Sequence, residues 1–282
     1  MKLKTIDLYE YFGLARPEEG RGYLTCYLQD TTWELWVNRR RPAVLIIPGG
    51  GYEFVSEREG EPIALHFLNA GYQAFVLNYS VKPHTFPTAL RESAMAMAYI
   101  RQKAAQMDVN ASMIAAIGFS AGGHLCGTLG TMFDCPEVAD LGNAALLRPD
   151  ALGLCYPVTV ANGPTHEGSF ENLSGGDKQL RQRLSLDALV RSDMPPVYLW
   201  HVRDDDCVPL HGSIVLAQKL YDRNVDFVAH IFRRGGHGSS NSNAQVYNAN
   251  AVPAFSKDVP GWLDSMIAYF TEIGLTITDM PQ

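Results

Sequence analysis

Ser120 lies in the run Ala115-Ala116-Ile117-Gly118-Phe119-Ser120-Ala121-Gly122-Gly123-His124, where an apolar, strand-forming stretch meets Gly-x-Ser-x-Gly and a helix-compatible segment follows. The pattern puts the serine at a strand-to-helix turn, the setting of a nucleophile elbow. A turn tight enough to lift a hydroxyl over a sheet edge brings backbone segments together. A Cβ at Gly118 or Gly122 would therefore clash, and Ser120 itself is expected in a strained conformation. A serine hydroxyl is a poor nucleophile near neutral pH. It needs a base within hydrogen-bond reach, and the base needs a carboxylate to fix its tautomer and stabilise its cation. The chemistry would be acyl transfer, with one acid and one histidine on loops after strands, in the chain order serine, acid, histidine.

Of the eight histidines, His237 stands just past the last expected strand, in Phe232-Arg233-Arg234-Gly235-Gly236-His237-Gly238, where flanking glycines let a loop bring an imidazole to a neighbouring strand end. His124 lies four residues beyond Ser120 on the following helix, a position for packing or a local hydrogen bond. His201 ends a strand as a core or supporting residue, and His66, His84, His166, His211 and His230 read as structural or surface residues. For the acid, Arg203-Asp204-Asp205-Asp206-Cys207-Val208-Pro209 places three consecutive aspartates at the carboxyl end of a strand, before a helix that Pro209 helps start. Their mutual repulsion favours solvating some and pairing at least one with a cation or an imidazolium. A metal site is the rival explanation, but neighbouring side chains diverge and no Asp-x-Asp-x-Asp-Gly loop is present. A further candidate is Pro48-Gly49-Gly50-Gly51-Tyr52, directly after the apolar run Ala43-Val44-Leu45-Ile46-Ile47. Glycines there leave backbone N–H groups bare at the strand end where α/β sheets place ligands, an anion-stabilising arrangement whose competitor is a flexible loop with no ligand.

The elements that must position these groups alternate. Strands are expected at 43–47, 72–79, 113–119, 151–156, 196–202 and 226–232, and helices at 57–69, 88–107, 121–132, 208–221 and 261–273. This rhythm implies a largely parallel sheet with right-handed crossovers and helices on both faces. Near the N-terminus, Tyr23 to Leu28 and Thr32 to Val37 read as an antiparallel edge hairpin, whose exposed edge could pair across a homodimer. Residues 157–195, with Gly163-Pro164, Gly175-Gly176 and a polar helix from Asp177 to Ser185, read as a pocket-shaping insertion in a single domain spanning residues 1–282.

Bulk properties exclude other classes. The 282 residues carry a net charge of −7, and apart from Arg39-Arg40-Arg41 and Arg233-Arg234 the basic residues are scattered, which disfavours a nucleic-acid partner. Five cysteines at irregular spacing, with no CxxC pair, fit reduced thiols rather than a disulfide framework or a zinc site. The start Met1-Lys2-Leu3-Lys4-Thr5-Ile6-Asp7 has no continuous apolar core after it, and no run approaches the ~20 apolar residues of a membrane span. The expectation is a cytoplasmic protein with a small-molecule substrate and no cofactor, metal or membrane partner.

With Ser120, the Asp204–Asp206 cluster and His237 in that order, the chain resembles the α/β-hydrolase superfamily. Within it the chain is most similar to the acetyl-xylan esterase-like and hormone-sensitive-lipase-like carboxylesterases of the lipase/esterase group. Four stretches between residues 40 and 270 carry the likeness: Ile46-Ile47-Pro48-Gly49-Gly50-Gly51-Tyr52; Gly118-Phe119-Ser120-Ala121-Gly122-Gly123-His124-Leu125; Pro195-Pro196-Val197 through Trp200-His201 with Asp205-Asp206-Cys207-Val208-Pro209; and Gly235-Gly236-His237-Gly238. The resemblance selects Asp205, because the first position of the family's Asp-x-x-Val-Pro pattern is the triad acid. It also implies an oxyanion hole from the N–H groups of Gly50, Gly51 and Ala121, and the α/β-hydrolase fold. Pro48 replaces the histidine of many hormone-sensitive-lipase-like members, which brings the chain nearer the branch acting on short acyl groups of sugars. Tyr52, Phe54 and residues 158–172 are positioned to shape a pocket. The implied activity is hydrolysis of short-chain, chiefly acetyl, esters of sugars or xylo-oligosaccharides through a Ser-His-Asp triad and an acyl-enzyme. Alternatives are a peptidase or thioesterase on the same fold, or a catalytically inactive hydrolase-like binding protein.

Overall fold

The computed structural model describes residues 1–35, 39–246 and 259–279. In chain order the elements are β1 (Lys2–Asp7), α1 (Leu8–Phe12), β2 (Tyr23–Leu28), β3 (Arg39–Ile47), α2 (Glu61–Asn69), β4 (Gln73–Asn78), α3 (Thr88–Gln102), β5 (Val109–Phe119), α4 (Ala121–Met132), α5 (Ala144–Leu147), β6 (Ala151–Cys155), α6 (Glu167–Ser174), α7 (Lys178–Arg183), α8 (Leu186–Leu189), β7 (Val197–Val202), α9 (His211–Asp222), β8 (Phe227–Phe232), α10 (Trp262–Glu272) and β9 (Thr278–Asp279). The strands lie in the order β1-β2-β4-β3-β5-β6-β7-β8, with β9 pairing β3 to one side. From β4 through β8 neighbouring strands run parallel, and the antiparallel part is confined to β1, β2 and the β9 pairing. This is the α/β-hydrolase fold.

β3 shows why the sheet lies in the middle. Ala43, Leu45 and Ile47 point into a core shared with α3, α4 and α9, whereas Val44 and Ile46 point into a second core shared with α2 and α10. Both sets are fully buried, and each of the valine, leucine and isoleucine side chains contributes about 1.5–3 kcal/mol by leaving water. A strand apolar on both faces is the sequence trace of helices on each side.

The N-terminal antiparallel pair differs from the expected hairpin. β2 pairs with β1 on one side and β4 on the other, so its edges are already taken, and residues 32–35 form a turn in which Trp33 is exposed. Residues 36 and 37 of the expected second strand lie outside the described residues. The expected helix at 57–69 is in fact a short 3-10 turn at Glu57–Glu59 followed by α2, the two separated by Gly60 at φ −101° and ψ −102°.

Parallel order stacks the carboxyl ends of β3, β5, β6, β7 and β8 along one rim, and the loops that leave this rim carry the glycine run, Ser120, Asp205 and His237. The tightest point is the turn from β5 into α4. A methyl group built on Gly118 would sit 2.1 Å from the Gly122 carbonyl oxygen, and one on Gly122 would sit 2.2 Å from the Ile47 carbonyl oxygen. Backbone cannot yield as a flexible side chain can. Gly122→Ala is therefore expected to destabilise by about 3 kcal/mol or more and to lower the midpoint of chemical denaturation. A midpoint equal to that of the parent would contradict the crowding of this turn.

Candidate active site

Ser120 caps α4 with φ +53° and ψ −119°, a backbone conformation rare for a residue with a side chain. It is held there from both sides: its N–H donates to the Cys155 carbonyl at 3.0 Å, and its carbonyl accepts from the N–H groups of His124 at 3.1 Å and Val158 at 3.0 Å. Its Oγ lies 2.9 Å from Nε2 of His237, whose Nδ1 lies 2.8 Å from Oδ2 of Asp205. With Asp205 accepting, Nδ1 of His237 carries the proton and Nε2 is free to accept from the serine hydroxyl. Gly236 at φ +64° and Gly238 at φ +69° form the bends that turn the β8 loop back to the rim.

The side chain of Asp205 has no solvent exposure. Burial opposes its ionisation, but His201, His237 and the backbone outweigh it, and the carboxyl is held well below the usual carboxylate range. Oδ1 accepts from the N–H groups of Cys207 at 3.0 Å and Val208 at 2.8 Å. Oδ2 lies 3.4 Å from Nε2 of His201. That nitrogen also donates to the Val208 carbonyl at 2.9 Å, while Nδ1 of His201 accepts from Ser213 Oγ at 2.7 Å. His201, fully buried, thus supports the loop that holds Asp205.

These groups open into a cavity of about 190 Å³ lined by Gly50, Gly51, Phe54, Arg58, His166 and Cys207 together with Ser120 and His237. Gly50 and Gly51 adopt φ +120° and +65°, and among the described residues nothing accepts a hydrogen bond from their N–H groups. Their carbonyls are pinned instead: that of Gly50 accepts from Glu53 and Phe54 N–H, and that of Gly51 accepts from Asn172 Nδ2 at 2.9 Å. Ala121 is buried and offers its amide, which at the first position of α4 has no intrahelical acceptor. The loop therefore presents unpaired donors next to the serine, an arrangement suited to an oxyanion. Among the described residues no group of three or more histidine, cysteine or acidic side chains could hold a metal ion. A larger cavity of about 360 Å³ between α9 and β8 has a mainly apolar lining and includes neither Ser120 nor His237.

Comparison with known proteins decides the family. Residues 36–143 match the BD-FAE family and residues 158–261 the prolyl oligopeptidase family. An acetyl ester-xyloside bifunctional hydrolase from Caldicellulosiruptor lactoaceticus is 33% identical, with a TM-score of 0.78 over 90% of this chain and 89% of that one. An alpha/beta hydrolase enzyme from a Medee basin deep-sea metagenome library is 34% identical, with a TM-score of 0.77 over 97% and 98%. The chain belongs to the α/β hydrolases. An acetylxylan esterase from Xylanibacter ruminicola is 27% identical over 95% of this chain and 54% of its own length. The chain spans between 34% and 56% of the length of the first three curated relatives it matches.

Several residues of this site were not legible as such. Glu59, 2% exposed, accepts from Gly49 N–H at 2.7 Å through one oxygen and from the Tyr156 hydroxyl at 2.6 Å through the other. Tyr156 in turn accepts from Ser240 N–H at 3.1 Å, and its ring stands edge-on to the imidazole of His237 with centroids 5.1 Å apart. Burial first and Glu59 second push the Tyr156 phenol well above its ordinary range, so it remains a donor. One carboxylate thus ties the glycine loop to the histidine loop. His166, read from sequence as structural or surface, instead lines the cavity, because its Nδ1 caps α6 by accepting from Ser169 and this sets the ring beside Gly51. Its only trace is the His-x-x-Ser spacing at a helix start. Burial, then the neighbouring His237, lower its pKa.

Tyr52 does not line the cavity. At φ +55° its side chain turns inward, is 2% exposed, and donates to Nδ1 of His124 at 2.8 Å. Nε2 of His124 donates to the Leu184 carbonyl at 2.8 Å, so this pair pins the glycine loop to α4 and to the segment before α8. Burial lowers the His124 pKa to about 4 against an ordinary 6.5. The native state therefore refuses a proton that the unfolded chain accepts as pH falls below about 6.5. Stability drops by about 3 kcal/mol between pH 6.5 and pH 4, and this contribution is flat below. Denaturant unfolding across that window is expected to show this slope in the parent and to lose it in His124→Asn; equal slopes in the two chains would refute it.

Proposed function

We propose that this chain is a serine carboxylesterase that removes short acyl groups, acetyl foremost, from polyhydroxylated alcohols such as sugars or xylo-oligosaccharides. The observation that carries the reading is the relay from Ser120 Oγ through His237 to Asp205, at 2.9 and 2.8 Å, opening beside unpaired glycine amides into a cavity of about 190 Å³. Sites for drug-sized ligands run to about 300–1,000 Å³. The smaller space suits an acetyl group and leaves no room for a fatty chain. The acetylxylan esterase and acetyl ester-xyloside hydrolase among the relatives support a sugar as the alcohol.

In the first step Ser120 Oγ bonds to the acyl carbon as its proton passes to Nε2 of His237. The carbonyl π pair moves onto oxygen, where the N–H groups of Gly50, Gly51 and Ala121 meet it, each such donor being worth ~3 kcal/mol in the transition state. Asp205 orients the imidazole and stabilises its cation. Collapse of the intermediate breaks the bond to the alcohol oxygen, which leaves with the proton from Nε2. Water then gives a proton to Nε2 and attacks the acyl-enzyme, and Ser120 departs with that proton as the carboxylic acid is released. The match of residues 158–261 to the prolyl oligopeptidase family favours a second reading, in which the same relay cleaves a peptide bond.

Ser120→Ala is expected to abolish turnover of p-nitrophenyl acetate without altering thermal unfolding, and Asp205→Asn to lower kcat by about 10⁴-fold. Across acetyl, butyryl and octanoyl p-nitrophenyl esters kcat/KM falls steeply with chain length, and an aminoacyl anilide is not cleaved. Parental rates in Ser120→Ala would eliminate the nucleophile assignment. Preference for the octanoyl ester or the anilide would overturn the short-acyl reading.

A further inference from the structure

The small cavity over Ser120 has a larger neighbour. On the other side of Phe54 lies an open groove of about 770 Å³, set between the carboxyl ends of β3 and β4 and the loop that leads into α2. The two spaces share Phe54 and Ser56 as their common wall. Phe54 is among the few large apolar side chains that remain exposed, at 55%. Its position is not incidental to the chemistry. Its N–H donates to the Gly50 carbonyl at 3.1 Å, and its ring lies 3.1 Å from where a Gly50 Cβ would be. The aromatic ring therefore rests on the same glycine loop that faces Ser120, as a ridge between a small chamber and a long one.

The chemistry of the groove differs from that of an acyl tunnel. Arg21, Thr25, Glu57 and Asn78 line it, so guanidinium, hydroxyl, carboxylate and amide are presented together. Their mutual contacts are sparse: among the described residues, an Arg21 Nη1 to Asn78 Oδ1 approach of 3.5 Å is the one hydrogen bond between these four side chains. A fatty chain would desolvate all four groups without return. A polyanion is disfavoured by Glu57 and by the net charge of −7. A pyranose chain satisfies both halves of the surface, because its C–H faces pack on an aromatic ring while its hydroxyls both donate and accept.

We infer that this groove is the alcohol subsite, and that it binds several units of a neutral oligosaccharide with one sugar stacked on Phe54. The inference rests on the esterase reading for its orientation: the acyl group enters the 190 Å³ cavity and the sugar chain runs over Phe54 into the 770 Å³ groove. The groove is of the size that buries a sizeable ligand, about 300–1,000 Å³. The bulk of the substrate is therefore on the leaving-group side. Substrates with longer sugar chains are then bound more tightly without any change at the acyl group.

Two measurements separate this inference from the reading beneath it. Ser120→Ala, which cannot turn substrate over, is titrated calorimetrically with unacetylated xylobiose and xylotetraose in the full chain. The tetraose is expected to bind more tightly than the biose, and Phe54→Ala or Asn78→Ala added to that background is expected to weaken tetraose binding about five- to tenfold each, with thermal unfolding unchanged. In the catalytically intact chain, kcat/KM for acetylated xylotetraose relative to p-nitrophenyl acetate is expected to fall by a similar factor in Asn78→Ala, through KM, whereas Phe54, which also lines the small cavity, is read by calorimetry alone. His166→Ala, inside the small cavity, lowers both substrates together and leaves the ratio alone. Absence of xylotetraose binding, equal affinity for the two oligosaccharides, or binding unmoved by both groove substitutions overturns the groove assignment. The rate on p-nitrophenyl acetate in the parent reports separately on the esterase reading, and its loss leaves the calorimetric result to stand or fall alone.

Discussion

The site depends on one steric constraint, the contact of bare backbone between the β5–α4 turn and the end of β3. Ser120 occupies a conformation that ordinarily costs about 1–3 kcal/mol, and it persists because three backbone hydrogen bonds and two glycine contacts leave it no alternative. The same Gly122 that clears the Ile47 carbonyl also clears that of Pro48, where a built methyl would lie 2.3 Å from the oxygen. Pro48 is where the glycine loop departs. Ser120 and the glycine loop are therefore registered to each other by main chain, whose positions do not depend on rotamers. Preorganisation of this kind is what makes unpaired amides effective toward developing charge.

Two buried side-chain systems then fix what the backbone contact leaves free. Glu59 bridges Gly49 and Tyr156, so the glycine loop cannot shift without moving the ring that flanks His237. The Tyr52–His124 pair ties the far side of the same loop to α4, the helix that begins at Ser120. A carboxylate and an imidazole placed in the interior are costly unless their polar atoms are paired. Both oxygens of Glu59 and both nitrogens of His124 have partners, which is why the pairing holds these loops rather than straining them.

What could be read from sequence follows the range of the interaction involved. The two elbow glycines are legible because the clash they avoid involves chain neighbours of the serine, and the alternating strands and helices are legible because each pattern is local. The N-terminal hairpin failed because pairing partners are a tertiary choice: Tyr23–Leu28 satisfies both its edges with β1 and β4, and nothing in residues 32–35 announces that. Tyr52 was misplaced for a subtler reason. A side chain's direction on a glycine-rich loop depends on its own φ, and the +55° value here turns the ring away from the cavity. Glu59 and His166 were missed because each also reaches a group more than ninety residues away, Tyr156 for the one and Gly51 for the other, and that half of the contact has no local trace.

The run Asp204-Asp205-Asp206 shows how three identical residues in a row acquire different roles. A local reading left all three open, and only the family pattern selected one. In the folded chain Asp204 accepts from Gly235 N–H at 2.9 Å, tying the end of β7 to the loop that carries His237. Asp205 turns inward to two amides and two imidazoles, and Asp206 faces solvent. Divergence of the three side chains removes the repulsion that adjacency would otherwise impose. The middle carboxylate can then be buried and still ionised, since the charge it keeps is met by donors on its own loop and by His237. Neither neighbour has those donors. Which carboxylate meets His237 is therefore decided by the turn that brings the amides of Cys207 and Val208 back onto Asp205, and a substitution that opened that turn would unpair Asp205 without touching it.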